Sequence, residues 1–144
     1  MKENKISLLD CTLRDGGYVN NFNFGQKNIT EIVEKLNKSN VEFIELGFLK
    51  DGDHDSHKTL FNFVNQAERF IVKNTAQKYT MMIRPDWYNI NQLQRGNGLI
   101  DTVRFAFHLK DLKLTLKQAD YARALGYNIF LNPVVITSYK KNEL

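Results

Sequence analysis

The stretch Leu9-Asp10-Cys11-Thr12-Leu13-Arg14-Asp15-Gly16-Gly17 sets an arginine, a carboxylate and two glycines directly after a short apolar run. Asp15 is a hard oxygen ligand of the kind divalent cations take, and Arg14 beside it is a permanent cation. The glycines let the backbone turn sharply and approach a ligand closely. These residue types suit a metal-bound anion. An isolated Arg-Asp-Gly is also explained by an ion pair that closes a loop, so the rest of the chain has to decide.

Other polar residues stand where apolar runs end. Glu45 interrupts the run Val41 to Phe48, where alternation puts Phe43 and Glu45 on one face and Ile44 and Leu46 on the other. Its carboxylate is expected either to pair with Arg14 or Arg84 or to orient a substrate. His108 closes the run Thr102 to Phe107 and is a candidate acid, base or substrate contact, or a solvated cap. Arg104 has the same parity as His108, so both are expected to point inward. Thr137 and Ser138 follow the last apolar run and can bind an anionic substrate or cap a helix.

Some tempting motifs fail on inspection. Asp51, Asp53 and Asp55 alternate like the start of a calcium loop, but Ser56 replaces the required glycine and Asn62 the closing glutamate. That segment, with His54 and His57, is expected to be a solvated loop. There is no GxGxxG or P-loop signature, hence no support for a dinucleotide or nucleotide triphosphate site. The single cysteine, Cys11, excludes an internal disulfide and is expected to pack between layers.

The elements that must position these residues alternate. Strands are expected at 6–9, 41–48, 79–83, 102–107 and 128–136. Helices are expected at about 26–39, from Leu60 to Phe70, weakly around 90–93, and from an Asp111 cap to a Gly126 stop. Ser138 is expected to cap one more helix. Strands recur about every 25–35 residues, as in right-handed βαβ units, and their apolar content fits a parallel sheet covered by helices. The fold class is therefore α/β, a single domain over residues 1–144. Two architectures fit: a five-stranded doubly wound sheet, or the N-terminal half, about five strands, of a (β/α)8 barrel. In both, ligands sit at the C-terminal strand ends.

With 144 residues, 42% hydrophobic and 25% charged, the composition is that of a soluble globular domain. No apolar run reaches the roughly 18 residues that span a membrane, and no signal peptide is visible, so the cytoplasm is expected. The net charge of +4 is spread over helix faces, which argues against a nucleic-acid partner.

The run Asp10-x-Thr12-Leu13-Arg14-Asp15-Gly16 resembles the signature of the DRE-TIM metallolyases, a family that includes 4-hydroxy-2-oxoacid aldolases and hydroxymethylglutaryl-CoA lyase. The longer string DCTLRDGGYVNNFNFG is similar to the bacterial aldolase catalytic domain branch. So are IELGF at 44–48, VRFAFH at 103–108 and NPVVITSY at 132–139. The resemblance implies a TIM barrel acting on a small 2-oxoacid such as pyruvate through a metal-bound enolate, making or breaking a carbon–carbon bond. It implies Asp15 as ligand to Mn²⁺ or Mg²⁺, with Zn²⁺ as a further choice, and Arg14 as stabiliser of the enolate oxygen. Thr12, Tyr18, Arg104 and Thr137 become substrate contacts, and Glu45 and His108 supporting catalytic groups.

Two departures shape the expectation. The aldolases carry a histidine base three residues after the metal aspartate, where this chain has Tyr18. They complete the metal site with a His-x-His pair after a later strand, and no such pair occurs here. The expected protein is thus a truncated or split member with little turnover alone. The alternative is a non-catalytic half-barrel that works by self-association, as a homo-oligomer, or by joining a missing C-terminal half.

Overall fold

The structure, a computed structural model, describes residues 6–140. The strands are β1 (Leu9–Asp10), β2 (Phe43–Leu49), β3 (Leu60–Phe61), β4 (Lys78–Ile83), β5 (Thr102–Phe107) and β6 (Asn128–Pro133). The helices are α1 (Thr12–Asp15), α2 (Gly17–Asn20), α3 (Gln26–Asn37) and α4 (Leu112–Ala124), with short 3₁₀ turns between them.

All strand pairings within the sheet are parallel, in the order β1-β2-β4-β5-β6, with β3 beside β2. The order never reverses, so there is no switch point and the doubly wound alternative is excluded. The sheet curls instead. Phe43 on β2 and Phe130 on β6 meet edge to face with ring centroids 5.1 Å apart. Those strands are three steps apart, which on a flat sheet is about 14 Å. The architecture is a parallel half-barrel.

The outer face makes the main core. Ile44, Leu46, Met81, Ile83, Val103 and Phe105 are fully buried there with Ile29 and Val33 of α3 and Ala119 and Ala122 of α4. In α3 the apolar residues recur at helical spacing, as the sequence implied. The helix α4 ends at Ala124, two residues before Gly126, whose φ of +98° suits the stop expected of it. The inner face carries a smaller cluster of Phe48, Met82 and Ala106, with Phe22, Leu60, Trp87 and Val134 against it.

The segment from Leu60 to Phe70 is not the α-helix its composition implied. Leu60 and Phe61 form β3, and Val64–Gln66 and Glu68–Phe70 are 3₁₀ turns. The buried residues Val64, Ala67 and Phe70 are spaced by three, which fits a 3₁₀ repeat. The strand has a topological reason. β1 pairs with β2 only at Phe43 and Ile44, whereas β3 pairs at Phe48 and Leu49. Since β4 holds the other edge, β3 fills the edge that β1 vacates when the chain turns into α1.

Smaller corrections follow the same logic. The first strand is Leu9–Asp10 rather than 6–9, and the last ends at Pro133. Ser138 closes a 3₁₀ turn, Ile136–Ser138, and does not begin a helix there; the continuation expected beyond residue 140 lies outside the described residues. Asp111 stands at the start of α4 but makes no side-chain capping bond. Among the described residues no helix is long and apolar enough to cross a membrane.

Gly47 lets β2 serve both faces. Between Glu45 and Phe48 the register against β4 shifts, so β2 advances three residues while β4 advances two. This bulge returns Phe48 to the inner face with Glu45. Gly47 has φ +150°, and an added Cβ would overlap the Thr59 carbonyl passing over it. Gly47→Ala is therefore expected to lower stability by about 2–3 kcal/mol, from strain plus overpacking. Urea unfolding checks this; a loss within experimental error would contradict it.

A buried carboxylate and two arginines at the candidate active site

Glu45 is 0% exposed on the inner face of the sheet. A lone carboxylate there would be costly to desolvate, and two guanidiniums offset that cost. Arg104 donates from Nε to Oε2 and from Nη2 to Oε1, both at 2.7 Å. Arg14 donates from Nε to Oε1, also at 2.7 Å. Glu45 thus holds three charge-assisted hydrogen bonds from two chain segments.

Local chain chemistry brings Arg14 to this point. The Asp10 carboxylate accepts from the Thr12 N–H at 2.9 Å and from its hydroxyl at 3.0 Å, which turns the chain from β1 into α1. Leu13 is fully buried, and its carbonyl accepts from the Thr59 hydroxyl at 2.7 Å. With Leu13 anchored outward, Arg14 reaches over the strand end to Glu45, its guanidinium 6.0 Å from the Phe48 ring centre. Gly17 keeps the next turn tight, since a Cβ there would overlap the Phe22 ring.

Above this triad lies a cleft of about 410 Å³ at the C-terminal ends of β2, β4, β5 and β6. Arg14 stands at one end. Phe48, Met82, Ala106 and Val134 make an apolar waist, and Arg84, Asp86, His108, Asp111 and Asn132 form the polar far wall. A guanidinium held at the end of such a cleft can bind a carboxylate or stabilise an oxyanion as it forms.

The expected site residues fall into three groups. Arg14, Tyr18 and His108 line the cleft. Tyr18 is exposed and packs edge to face on Phe22 and Phe48. Glu45 and Arg104 lie behind it, and Arg104 spends its Nε and Nη2 donors on Glu45 instead of lining the cleft. Thr12, with its hydroxyl bonded to Asp10, and Thr137, exposed on a 3₁₀ turn, are not among the cleft residues. Arg84, the other partner considered for Glu45, pairs instead with Asp86. His54 and His57 stay in the polar loop away from the cleft.

Of the far wall, sequence reasoning singled out His108 for the site and missed the Arg84–Asp86 pair. Arg84 bonds Asp86 through Nε at 3.1 Å and Nη2 at 2.7 Å, and its guanidinium lies 4.2 Å from the Trp87 ring centre. Burial works against ionisation of Asp86, but the Arg84 hydrogen bonds and nearby positive charge hold its carboxyl below the ordinary range. The available signal was position alone: Arg84 to Trp87 follow a strand directly.

Cys11 also departs from expectation. It is half-buried on the site side, not packed between layers, with Sγ 3.6 Å from Arg104 Nη2. Burial first, and then the negative charge of Glu45, push its thiol pKa up against the two arginines. Burial alone would lower the Arg14 pKa, but its hydrogen bonds and charge contact with Glu45 outweigh that and the net shift is upward.

The residues present do not by themselves fit a divalent ion. Among the described residues no group of three or more His, Cys, Asp or Glu side chains could hold one. Asp15 is one carboxylate, 62% exposed and paired with Arg14 Nη1. A catalytic divalent ion normally needs several placed ligands.

No family model matches the chain. A 4-hydroxy-2-oxovalerate aldolase of Bacillus cereus (strain ATCC 10987 / NRS 248) is 21% identical over 131 residues, covering 88% of this chain and 38% of its own length. The chain therefore spans well under half of that relative. A crystal structure of the N-terminal domain of a protein assigned as an aldolase in Bacteroides vulgatus superposes with a TM-score of 0.76 at 20% identity. That match covers 92% of this chain and 46% of the other. The structural likeness shows the fold, a parallel half-barrel like that N-terminal domain.

Two outcomes are expected. Glu45→Ala leaves the nearly buried Arg104 without a carboxylate and Arg14 with only the exposed Asp15, and should cost about 3–5 kcal/mol in chemical denaturation. A loss below ~1 kcal/mol would show that water already screens the triad. For Cys11 the folded pKa is raised, so the neutral thiol persists as pH rises through the range where an unfolded thiol ionises. Iodoacetamide labelling should therefore reach half its maximal rate at a higher pH in the native protein than in urea. The reverse order would contradict the assigned environment.

Proposed function

We propose that this chain supplies the oxoacid-binding half of an aldolase-type site that acts at a carbon–carbon bond next to a 2-oxoacid. One observation carries the reading: Arg14 is fixed by a fully buried carboxylate and presented to a cleft at the C-terminal strand ends. That is where a (β/α)8 frame concentrates its chemistry. The aldolase likeness supports the reaction class.

In the cleavage direction the hydroxyl proton on C4 of a 4-hydroxy-2-oxoacid leaves to a base. The C3–C4 bond then breaks, its electron pair moves towards the C2 carbonyl, and an aldehyde departs. Arg14 stabilises the enolate oxygen as its charge grows. His108 is the imidazole that lines the cleft, and imidazole is the side chain most often used as a general base. Glu45 and Arg104 hold Arg14 in place. A divalent ion, Mn²⁺, Mg²⁺ or Zn²⁺, would supply Lewis acidity if bound. Asp15 is the carboxylate beside Arg14 that this half would offer it.

The reading implies a small-molecule partner rather than nucleic acid or a membrane, and low turnover by this chain alone. Pyruvate binding followed by ligand-observed NMR is expected, and Arg14→Ala should weaken it about 10- to 100-fold, the value of a charge-assisted contact. Binding that ignores the substitution would sink the reading. Pyruvate release from 4-hydroxy-2-oxopentanoate with Mn²⁺, abolished by Asp15→Ala, would instead show that this half is catalytically complete.

A second reading has its own observation. Among the described residues β6 is hydrogen-bonded in the sheet only to β5, and Leu131, Val135 and Ile136 near that edge are exposed. Exposed parallel edges invite pairing with another chain, so the half-barrel would act by self-association. Light scattering after size exclusion is expected to show a dimer in that case, and a folded monomer at all concentrations would dismiss it.

A further inference from the structure

The far wall of the cleft bears on which aldehyde the site handles. Its polar groups are Arg84, Asp86, His108, Asp111 and Asn132. The one permanent cation among them, Arg84, is already engaged by both Asp86 oxygens. Its face is covered by Trp87, which packs against Phe48 at 5.3 Å and carries Lys50 on its ring at 5.0 Å. The wall is thus stiffened from behind, and its lining carries one arginine against two aspartates, with Lys110 acting on Asp86 from outside the lining.

Such a wall discriminates among three kinds of tail. A carboxylate or phosphate would meet Asp86 and Asp111, while the lining's own cation, Arg84, is taken up by Asp86, and like charges brought together in a cleft repel. An alkyl tail would cover Asp111, His108 and Asn132 without replacing the water they bind. Hydroxyls both donate and accept. They can donate to the aspartates while accepting from Asn132 and from the Arg84 N–H groups not used by Asp86.

We propose that the electrophile of this site is a neutral polyhydroxylated aldehyde, the open-chain form of a sugar, whose hydroxyls lie along Asp86, Asp111 and Asn132 while the oxoacid sits at Arg14. This rests on the oxoacid reading and extends it to the second substrate. In the addition direction the enolate carbon bonds to the aldehyde carbon, the carbonyl pair moves onto the aldehyde oxygen, and that oxygen takes a proton from the His108 imidazolium. The product is a 4-hydroxy-2-oxoacid with further hydroxyls beyond C4. The apolar waist of Phe48, Met82 and Ala106 spaces the two polar ends.

The protein contains one tryptophan, Trp87, which stacks on Arg84 and reports on the wall. The test titrates the intact chain with pyruvate, 4-hydroxy-2-oxopentanoate, 4-hydroxy-2-oxoglutarate and a 2-oxo-3-deoxyhexonate, following Trp87 fluorescence and ligand-observed NMR in parallel. The hexonate is expected to bind at least ~10-fold more tightly than the methyl-tailed and carboxylate-tailed acids, the worth of one or two net hydrogen bonds. Asp111→Asn should narrow the gap between hexonate and oxoglutarate by removing the repulsion. Tightest binding of either other tail, or a gap unmoved by Asp111→Asn, overturns the proposal while pyruvate binding keeps the oxoacid reading intact. Failure of pyruvate itself to bind overturns both.

Discussion

A carboxylate with no exposure to water is the constraint around which this half-barrel is arranged. Glu45 can remain on the inner face only if guanidiniums reach it from neighbouring segments, and they come from α1 and β5. Arg104 must occupy the inner parity of β5, and β2 must keep both Glu45 and Phe48 on that same face. A slip of one residue in either strand would send one partner outward and leave the other buried alone, a penalty of several kcal/mol. The triad therefore ties sheet register to the position of Arg14. The placing of Arg14 at the cleft and the pairing of the sheet are one problem with one solution.

The aromatic layer above the triad divides the labour. Phe22, Phe48 and Trp87 meet one another edge to face or tilted, while Tyr18 leans on the same group from solvent. Rings in such contacts add stabilisation beyond the area they bury and hold fixed angles. They separate the charged triad below from the polar wall at the rim, so each can be satisfied by its own partners.

Much of this was legible in the sequence because it rested on periodicity and on a compact motif. The alternation of Phe43, Ile44, Glu45 and Leu46 fixed which way the glutamate points, and the spacing of Ile29, Ile32, Val33 and Leu36 marked α3. Arg14 and His108 were placed at strand ends, where the cleft is found. What was hidden depended on long-range pairing. Leu60 and Phe61 become a strand because β1 is short and leaves an edge open, a fact carried by neither segment alone. Cys11 faces the site because α1 starts immediately after β1. Arg104 was expected at the substrate, and only the three-dimensional proximity of Glu45 shows where its donors go. The aldolase resemblance agreed with the matches found, whereas the expected metal ligation has no cluster of ligating side chains among the described residues.

The meeting of Phe43 and Phe130 has a consequence for how such a shape arises. The bend is held from within by two rings that bridge strands three steps apart, so it does not depend on a sheet closing upon itself. Along the path from β1 to β6, each strand pairs with one made earlier in the chain, at modest sequence separation. Parallel pairing is slow compared with local contacts, but each step here closes a shorter loop than pairing the two ends of the chain would. A polypeptide emerging from the ribosome could acquire this curvature strand by strand, like a stave bent before the cask is hooped. Barrels assembled from two such pieces would then inherit their roundness from each half.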